Sequence, residues 1–452
     1  MSTRPFPAPV TRFARRSASG LAALAALAAG ACAPRQPVYT VPVVIIGDTA
    51  RAPRDTVVIG APAPAPARGA PAVAVGLVVD TGTVEIGSAV PFAISTEDGR
   101  EVARVGAGGT AVVQQGAGGV NVSVRGAAGQ GATGLRLPLL VRPLAEGGTL
   151  TLRGAPYRGE LRVQQAPRGG LTVVNRLDME TYLLGVVPRE IGRASPDIYE
   201  AVRAQAVAAR TYAVSYLGRR AEQGFDVYAT TEDQVYGGAA AEDELVNRAV
   251  RETAGEILVH GGRPINAYYH STCAGHTAAI EEVWNSAPVP YLRAVRDLDP
   301  QGQAYDRASS RFTWTERWTH DELVGILNRT MADSLRGRRI TRITDMQVQS
   351  RTPSGRVAAM RLATDAGTFT LGRDRVRWIL TPNRGGILNS SRFDVRLERS
   401  GGRVSAIVAE GGGWGHGIGM CQVGAMGRAR AGQDYRQILR TYYTGGEIVR
   451  WY

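Results

Sequence analysis

Lysine is missing altogether: all 53 basic side chains are arginine. No side-chain amine is present to form a Schiff base with a carbonyl substrate, which removes that class of covalent chemistry. Cysteine is nearly as scarce. Cys32, Cys273 and Cys421 are the three present, too few for a disulfide framework. No apolar run reaches the roughly 20 residues of a membrane-spanning helix. A dense basic block is lacking as well, because the net charge of +13 is spread along the chain. That spread suits a mildly basic surface facing acidic polymers better than a nucleic-acid footprint. The phosphate-cradling G-x-x-x-x-G-K-[ST] pattern is absent too.

What is present begins with an export signal. Arg12, Arg15 and Arg16 precede the apolar residues 21–31, and Ala29-Gly30-Ala31-Cys32 closes the segment. Basic, apolar and small residues in that order predict a secretory signal of the lipoprotein type over residues 1–32, with Cys32 lipidated as a membrane anchor; plain signal cleavage with no anchor is the alternative. Leu27 stands two residues further from the cysteine than the usual lipoprotein pattern places its leucine. Export leaves nucleic acid out as a partner. It also leaves Cys273 and Cys421 open to three uses: a disulfide, metal ligation or buried thiols.

Composition then divides the chain. Residues 33–74 carry APAPAPARGAP and predict an extended tether. Residues 75–165 alternate short apolar runs with glycine turns and predict a β-rich domain. Residues 166–300 hold helical and strand patterns, 301–400 form an inserted α+β lobe, and 401–452 return to the helix-bearing core. The expected class is α+β with several lobes.

The densest chemistry lies in residues 177–211. The apolar residues 182–187 stop at Pro188, and Ser195-Pro196-Asp197 opens a helix with a good N-cap and proline at its first position. This places Glu190 in a turn before the helix, backed by Val186, Val187 and Pro188. Burial there raises a carboxyl pKa, as a general acid needs, while Arg189 and Arg193 lower it. The sequence leaves that contest open, and an exposed glutamate beside arginine is the plain alternative. His270, Cys273 and His276 form an H-x2-C-x2-H cluster of zinc-type donors, with Cys421 or His416 as a further ligand; a polar loop with a buried thiol is the alternative. Gln234 and Tyr236, in DQVYGG, either contact sugars or make a turn. A cysteine hydrolase fits poorly, because neither Cys273 nor Cys421 has a helix-start context with a clear third partner.

Five stretches, YLLGVVPREIG, AVRAQAVAARTYA, DQVYGG, YYHSTCAGHTAAIEEVW and GWGHGIGMCQVGAMGRARAGQDYRQILRTYYTG, occur in order over most of residues 157–443. In this the chain resembles the stage II sporulation protein D and amidase-enhancer family. The resemblance implies a peptidoglycan-directed protein. Sporulation-type members are lytic transglycosylases that cleave the β-1,4 bond after N-acetylmuramic acid in denuded glycan strands. Others enhance an amidase and act as wall-binding modules. It implies that Glu190 is the catalytic acid and that Arg210 is the family's helix-end arginine, reaching the substrate or pairing with an acid. It also places His270 at the cleft; Ser271, Thr272, Gln234, Tyr236 and His416 are the other candidate substrate contacts. Some members carry zinc near the histidine motif, although the reaction requires no cofactor. The implied partners are glycan strands and an amidase or other wall hydrolase. Cys421 stands where many relatives have serine. One carboxylate suffices for this reaction, because the sugar's own C6 hydroxyl can replace the water that ordinary glycosidases activate with a second acid.

Overall fold

Two mostly antiparallel sheets face each other in the N-terminal part of the computed structural model, which describes residues 69–126 and 130–452. The expected signal segment, Cys32 and most of the tether lie outside the described residues. One sheet has seven strands in the order Val227–Tyr228, Ala72–Thr81, Leu171–Asp178, Glu160–Gln165, Leu139–Pro143, Phe92–Thr96 and Glu101–Val105. The other has six. Alternation places their core: in Thr83–Gly87, Val84 and Ile86 are buried while Thr83 and Glu85 are exposed. Val84 and Ile86 meet Phe92, Ile94, Leu139 and Leu161 in one apolar cluster.

This β-rich part extends past the boundary expected at 165. Leu171–Asp178 pairs with Glu160–Gln165 on one side and with Ala72–Thr81 on the other. It then runs directly into the helix Met179–Ile191 (α1), whose N-cap Asp178 accepts from the Thr181 N–H at 3.0 Å. Val227–Tyr228, from the middle of the core block, adds a parallel edge strand to the same sheet.

The central core gathers around the helix Tyr199–Tyr216 (α2). All its alanines, with Val202 and Val207, are buried, as expected for a helix surrounded by protein. Against it pack α1, Glu244–Glu252 (α3), Gln422–Arg430 (α5) and Tyr435–Tyr442 (α6). The last of these opens with the expected box of Asp434 and Gln437. The Ser195 side chain makes no backbone cap; Pro196–Ile198 forms a 3-10 turn ahead of α2.

The inserted lobe has a separate core around Trp318, Leu327, Met360 and Leu362. Its helix His320–Thr330 (α4) starts in a Thr319–Glu322 capping box. Arg403–Gly411, expected in the C-terminal block, is the middle strand of a lobe sheet between Trp314–Thr319 and Phe393–Ser400. Among the described residues, no helix is long and apolar enough to cross a membrane.

Candidate active site

Glu190 lies in the last turn of α1, not in a turn ahead of a helix. The apolar run that ends at Pro188 is therefore helical, and Pro188 sits inside the helix. Pro188 cannot donate to the Leu184 carbonyl, and the helix continues past that lost bond for three residues, to Ile191. The Gly192 N–H closes the end on the Pro188 carbonyl at 3.1 Å, with Gly192 at φ +76°. The final turn carries Glu190 toward three segments distant in sequence. The Val235 N–H donates to Glu190 Oε1 at 2.7 Å. The Gln422 amide donates to the Glu190 carbonyl oxygen at 2.9 Å. The Tyr269 hydroxyl lies against the carboxyl. Burial raises the Glu190 carboxyl to about 7, outweighing these hydrogen bonds, which favour the charged form. The contest with Arg189 and Arg193 goes to burial, and neither arginine is among the causes of the shift.

Gln234 supports this arrangement from behind. It is fully buried; its amide donates to the Tyr269 hydroxyl at 2.9 Å and to the Ala209 carbonyl at 3.2 Å, and its oxygen accepts from Tyr182 at 3.1 Å. It thus orients Tyr269 and does not itself face a sugar. Tyr236 is also core: its hydroxyl donates to Asn175 Oδ1 at 2.9 Å, and its ring packs on Tyr157 and Tyr182. A Cβ on Gly185 of α1 would strike the Tyr236 ring, so glycine is needed for that close approach.

Arg210 takes the second of its two expected roles. It is fully buried and forks onto Glu180, with Nε to Oε1 at 2.8 Å and Nη2 to Oε2 at 2.7 Å. It also donates to the Glu256 carbonyl at 3.1 Å. Glu180 is partly buried, which raises its carboxyl, but Arg210 and hydrogen bonds from Tyr452 and Gly255 hold it below the ordinary value. The pair fastens α1 to α2, and Arg210 offers no donor to a groove.

His270 and His416 approach each other, with ring centroids 5.6 Å apart. His270 Nδ1 lies 3.2 Å from the Ile418 carbonyl and so carries the proton. That leaves its Nε2 buried without a partner among the described residues. His416 Nδ1 accepts from the Ile418 N–H at 3.0 Å, which assigns its proton to Nε2. Burial keeps both rings neutral; the His416 value falls to about 4, and that of His270 falls well below the ordinary one. The hydroxyls of Ser271, Thr272 and Ser309 follow in a row, at 3.3 and 2.8 Å.

The donor cluster differs from the expected one. The ligand atoms of His270, Cys273 and Cys421 lie within 4.8 Å of one another, all three residues buried. His276 is not among them; its Nδ1 bonds the Thr277 carbonyl at 2.7 Å. Parallel pairing of Tyr269–His270 with Met420–Cys421 brings the set together. Both cysteines are free thiols, and burial raises their pKa values. Two sulfur donors beside a bare, buried imidazole nitrogen fit a zinc ion by donor type.

A family model described as Stage II sporulation protein (SpoIID) matches residues 167–260, and a domain of unknown function (DUF8618) matches 299–419. An uncharacterized protein of Brachyspira hyodysenteriae is 35% identical over 301 residues, covering 66% of this chain and 74% of that one. The stage II sporulation protein D of Bacillus subtilis is 31% identical over 290 residues, 61% of this chain and 75% of its own length. This chain belongs to the SpoIID family. The amidase enhancer of Bacillus subtilis is 33% identical over 295 residues, 59% of this chain and 40% of the enhancer. The SpoIID match ends at 260, and the unassigned domain covers the inserted lobe and most of the GWGHGIGM loop.

Sequence reasoning missed Tyr269 and Gln422, both at the Glu190 carboxyl in this SpoIID-family site. Strand alternation was the available signal: if His270 faces the cysteines, its neighbour Tyr269 faces the opposite side. Gln422 follows Cys421 at the first position of α5, where a side chain points back past the helix start.

Proposed function

We propose that this chain is a peptidoglycan lytic transglycosylase. It would cleave the β-1,4 bond between N-acetylmuramic acid and N-acetylglucosamine in denuded glycan strands. The observation that carries the reading is a glutamate raised to about 7 by burial, held at the meeting point of α1, the Tyr269–His270 strand and the start of α5. A carboxyl near 7 keeps a large share of its protons at neutral pH and can still give them up. Glu190 protonates the glycosidic oxygen as that bond breaks. The resulting carboxylate then takes the proton from the C6 hydroxyl of the same muramic residue as the C6 oxygen bonds to C1. The product is a 1,6-anhydro sugar, no water is consumed, and Glu190 ends protonated as it began. The Val235 N–H at 2.7 Å and the Tyr269 hydroxyl favour the charged form after the first transfer.

A zinc ion held by His270, Cys273 and Cys421 would supply a structural crosslink between the histidine strand and α5. With the lipid anchor at Cys32, the enzyme would be exported and held at the cell envelope. A second reading, a wall-binding module that activates an amidase, is favoured by the relative named an amidase enhancer. Digestion of denuded glycan separates the two. Wild type yields anhydro-muramic products and Glu190→Gln does not; a wild type that sediments with the wall and releases none is a binding module.

A further inference from the structure

A cleft of about 880 Å³ opens in the inserted lobe, walled by Phe312, Trp314, Arg351, Arg392, Phe393 and Glu410. The reaction above does not use it. Three features mark it as a binding site. The floor is aromatic, with Phe312 half-buried and the rings of Trp314 and Phe393 6.0 Å apart. The Trp314 indole N–H is buried with no partner among the described residues, a rare state for a buried donor. The two arginines also differ. Arg351 is paired with Asp394 at 2.5 Å, whereas Arg392 bonds the Ala274 carbonyl and, among the described residues, meets no carboxylate.

The cleft connects to Glu190 by a chain of contacts. Gln422 bonds the Glu190 carbonyl, and the Val423 N–H donates to the Ser271 carbonyl at 3.0 Å. The hydroxyls of Ser271, Thr272 and Ser309 follow. Trp414 pairs through its backbone with Thr272, and its ring is 47% exposed with the Arg311 guanidinium 5.3 Å from its centroid. The Gly413 N–H bonds the Arg311 carbonyl at 3.0 Å, and Phe312 is next in sequence.

We propose that this cleft is a saccharide subsite for a carboxylate-bearing sugar of the same glycan strand. The inference rests on the reading that the strand lies with its scissile bond at Glu190. Trp414, with Arg311, is the stacking step between the two places. Arg392 pairs with the lactyl carboxylate of a muramic residue seated over Phe312, the role that buried Arg210 does not fill. A sugar ring supplies what the lining lacks: an apolar face for aromatic rings, acceptors for an indole N–H, and an anion for a guanidinium. The volume is that of a small-ligand site, whereas a protein partner needs a broad, flatter face of about 800 Å² on each side.

Binding is measured in the full chain carrying Glu190→Gln, by calorimetry with long denuded strands, so that turnover does not intervene. Adding Arg392→Gln, Trp414→Ala or Phe312→Ala should weaken binding about tenfold or more each, with thermal unfolding confirming that each variant is folded. Amidating the strand's carboxylates should weaken binding to the parent protein similarly and add nothing in Arg392→Gln. Unchanged affinity in all three variants overturns the subsite, whether or not the wild type cleaves. A wild type that makes no anhydro product, with these losses still present, leaves the subsite standing and removes the transglycosylase.

Discussion

The Gln422 amide donates to the Glu190 carbonyl oxygen at 2.9 Å across 232 residues of sequence. Through it the start of α5 is tied to the end of α1, and the glutamate is held where the histidine strand also arrives. Glu190→Gln keeps the shape and removes the transferable proton. Anhydro-product formation should fall by about 10²–10⁴-fold, measured by chromatography of digested glycan, with little change in unfolding temperature.

The pH dependence follows from the same burial. The protonated form of Glu190 declines as pH rises through about 7, so cleavage should decline on that limb of the kcat/KM profile. The folded value lies above the ordinary carboxyl value of 4.5, so the stability contribution of Glu190 is fully present below about 4.5 and lost as pH rises through about 7. His416 has the opposite sign: depressed from 6.5 to about 4, its contribution is present above 6.5 and lost as pH falls through about 4. Denaturant unfolding across this range should show the Glu190 slope vanish in Glu190→Gln and the acid-side loss vanish in His416→Asn.

Arg210→Met should be among the most damaging single changes outside the site. It leaves the partly buried Glu180 without its cation, a loss of about 3 kcal/mol, visible as a lower denaturant midpoint. Adding Glu180→Gln should recover part of that loss. A direct substrate contact would instead predict weaker glycan binding at unchanged stability.

Metal analysis tests the donor cluster. Protein purified without chelator should carry about one zinc per chain, and Cys421→Ala or Cys273→Ala should lower that content. His276→Ala should leave it unchanged, because His276 bonds its own neighbour's carbonyl.

Much of the fold follows from local pattern. The capping boxes at Thr319 and Asp434 and the alternating strand Thr83–Gly87 are set by neighbours in sequence. Pro188 reads as a helix stop, but α1 loses only the one bond to the Leu184 carbonyl and runs on for three residues to Ile191. The candidate site was legible at Glu190, at His270 and His416, and at the cysteines, whose side-chain types announce their chemistry. Tyr269 and Gln422 were not, because their roles arise from long-range pairing. Tyr236, Gln234 and Arg210 show the converse. Polar residues in a conspicuous motif can serve the interior, and only burial distinguishes that from contact with a ligand.

Because Leu171–Asp178 passes without a break into α1, the β-rich part is no detachable appendage. Its first strand also pairs with Val227–Tyr228, and Asn175 receives the Tyr236 hydroxyl. Cutting the polypeptide ahead of residue 171 would strip a sheet from one end of the rod whose other end presents the acid. Whatever fixes the amino-terminal half in place thus also sets the aim of the proton donor.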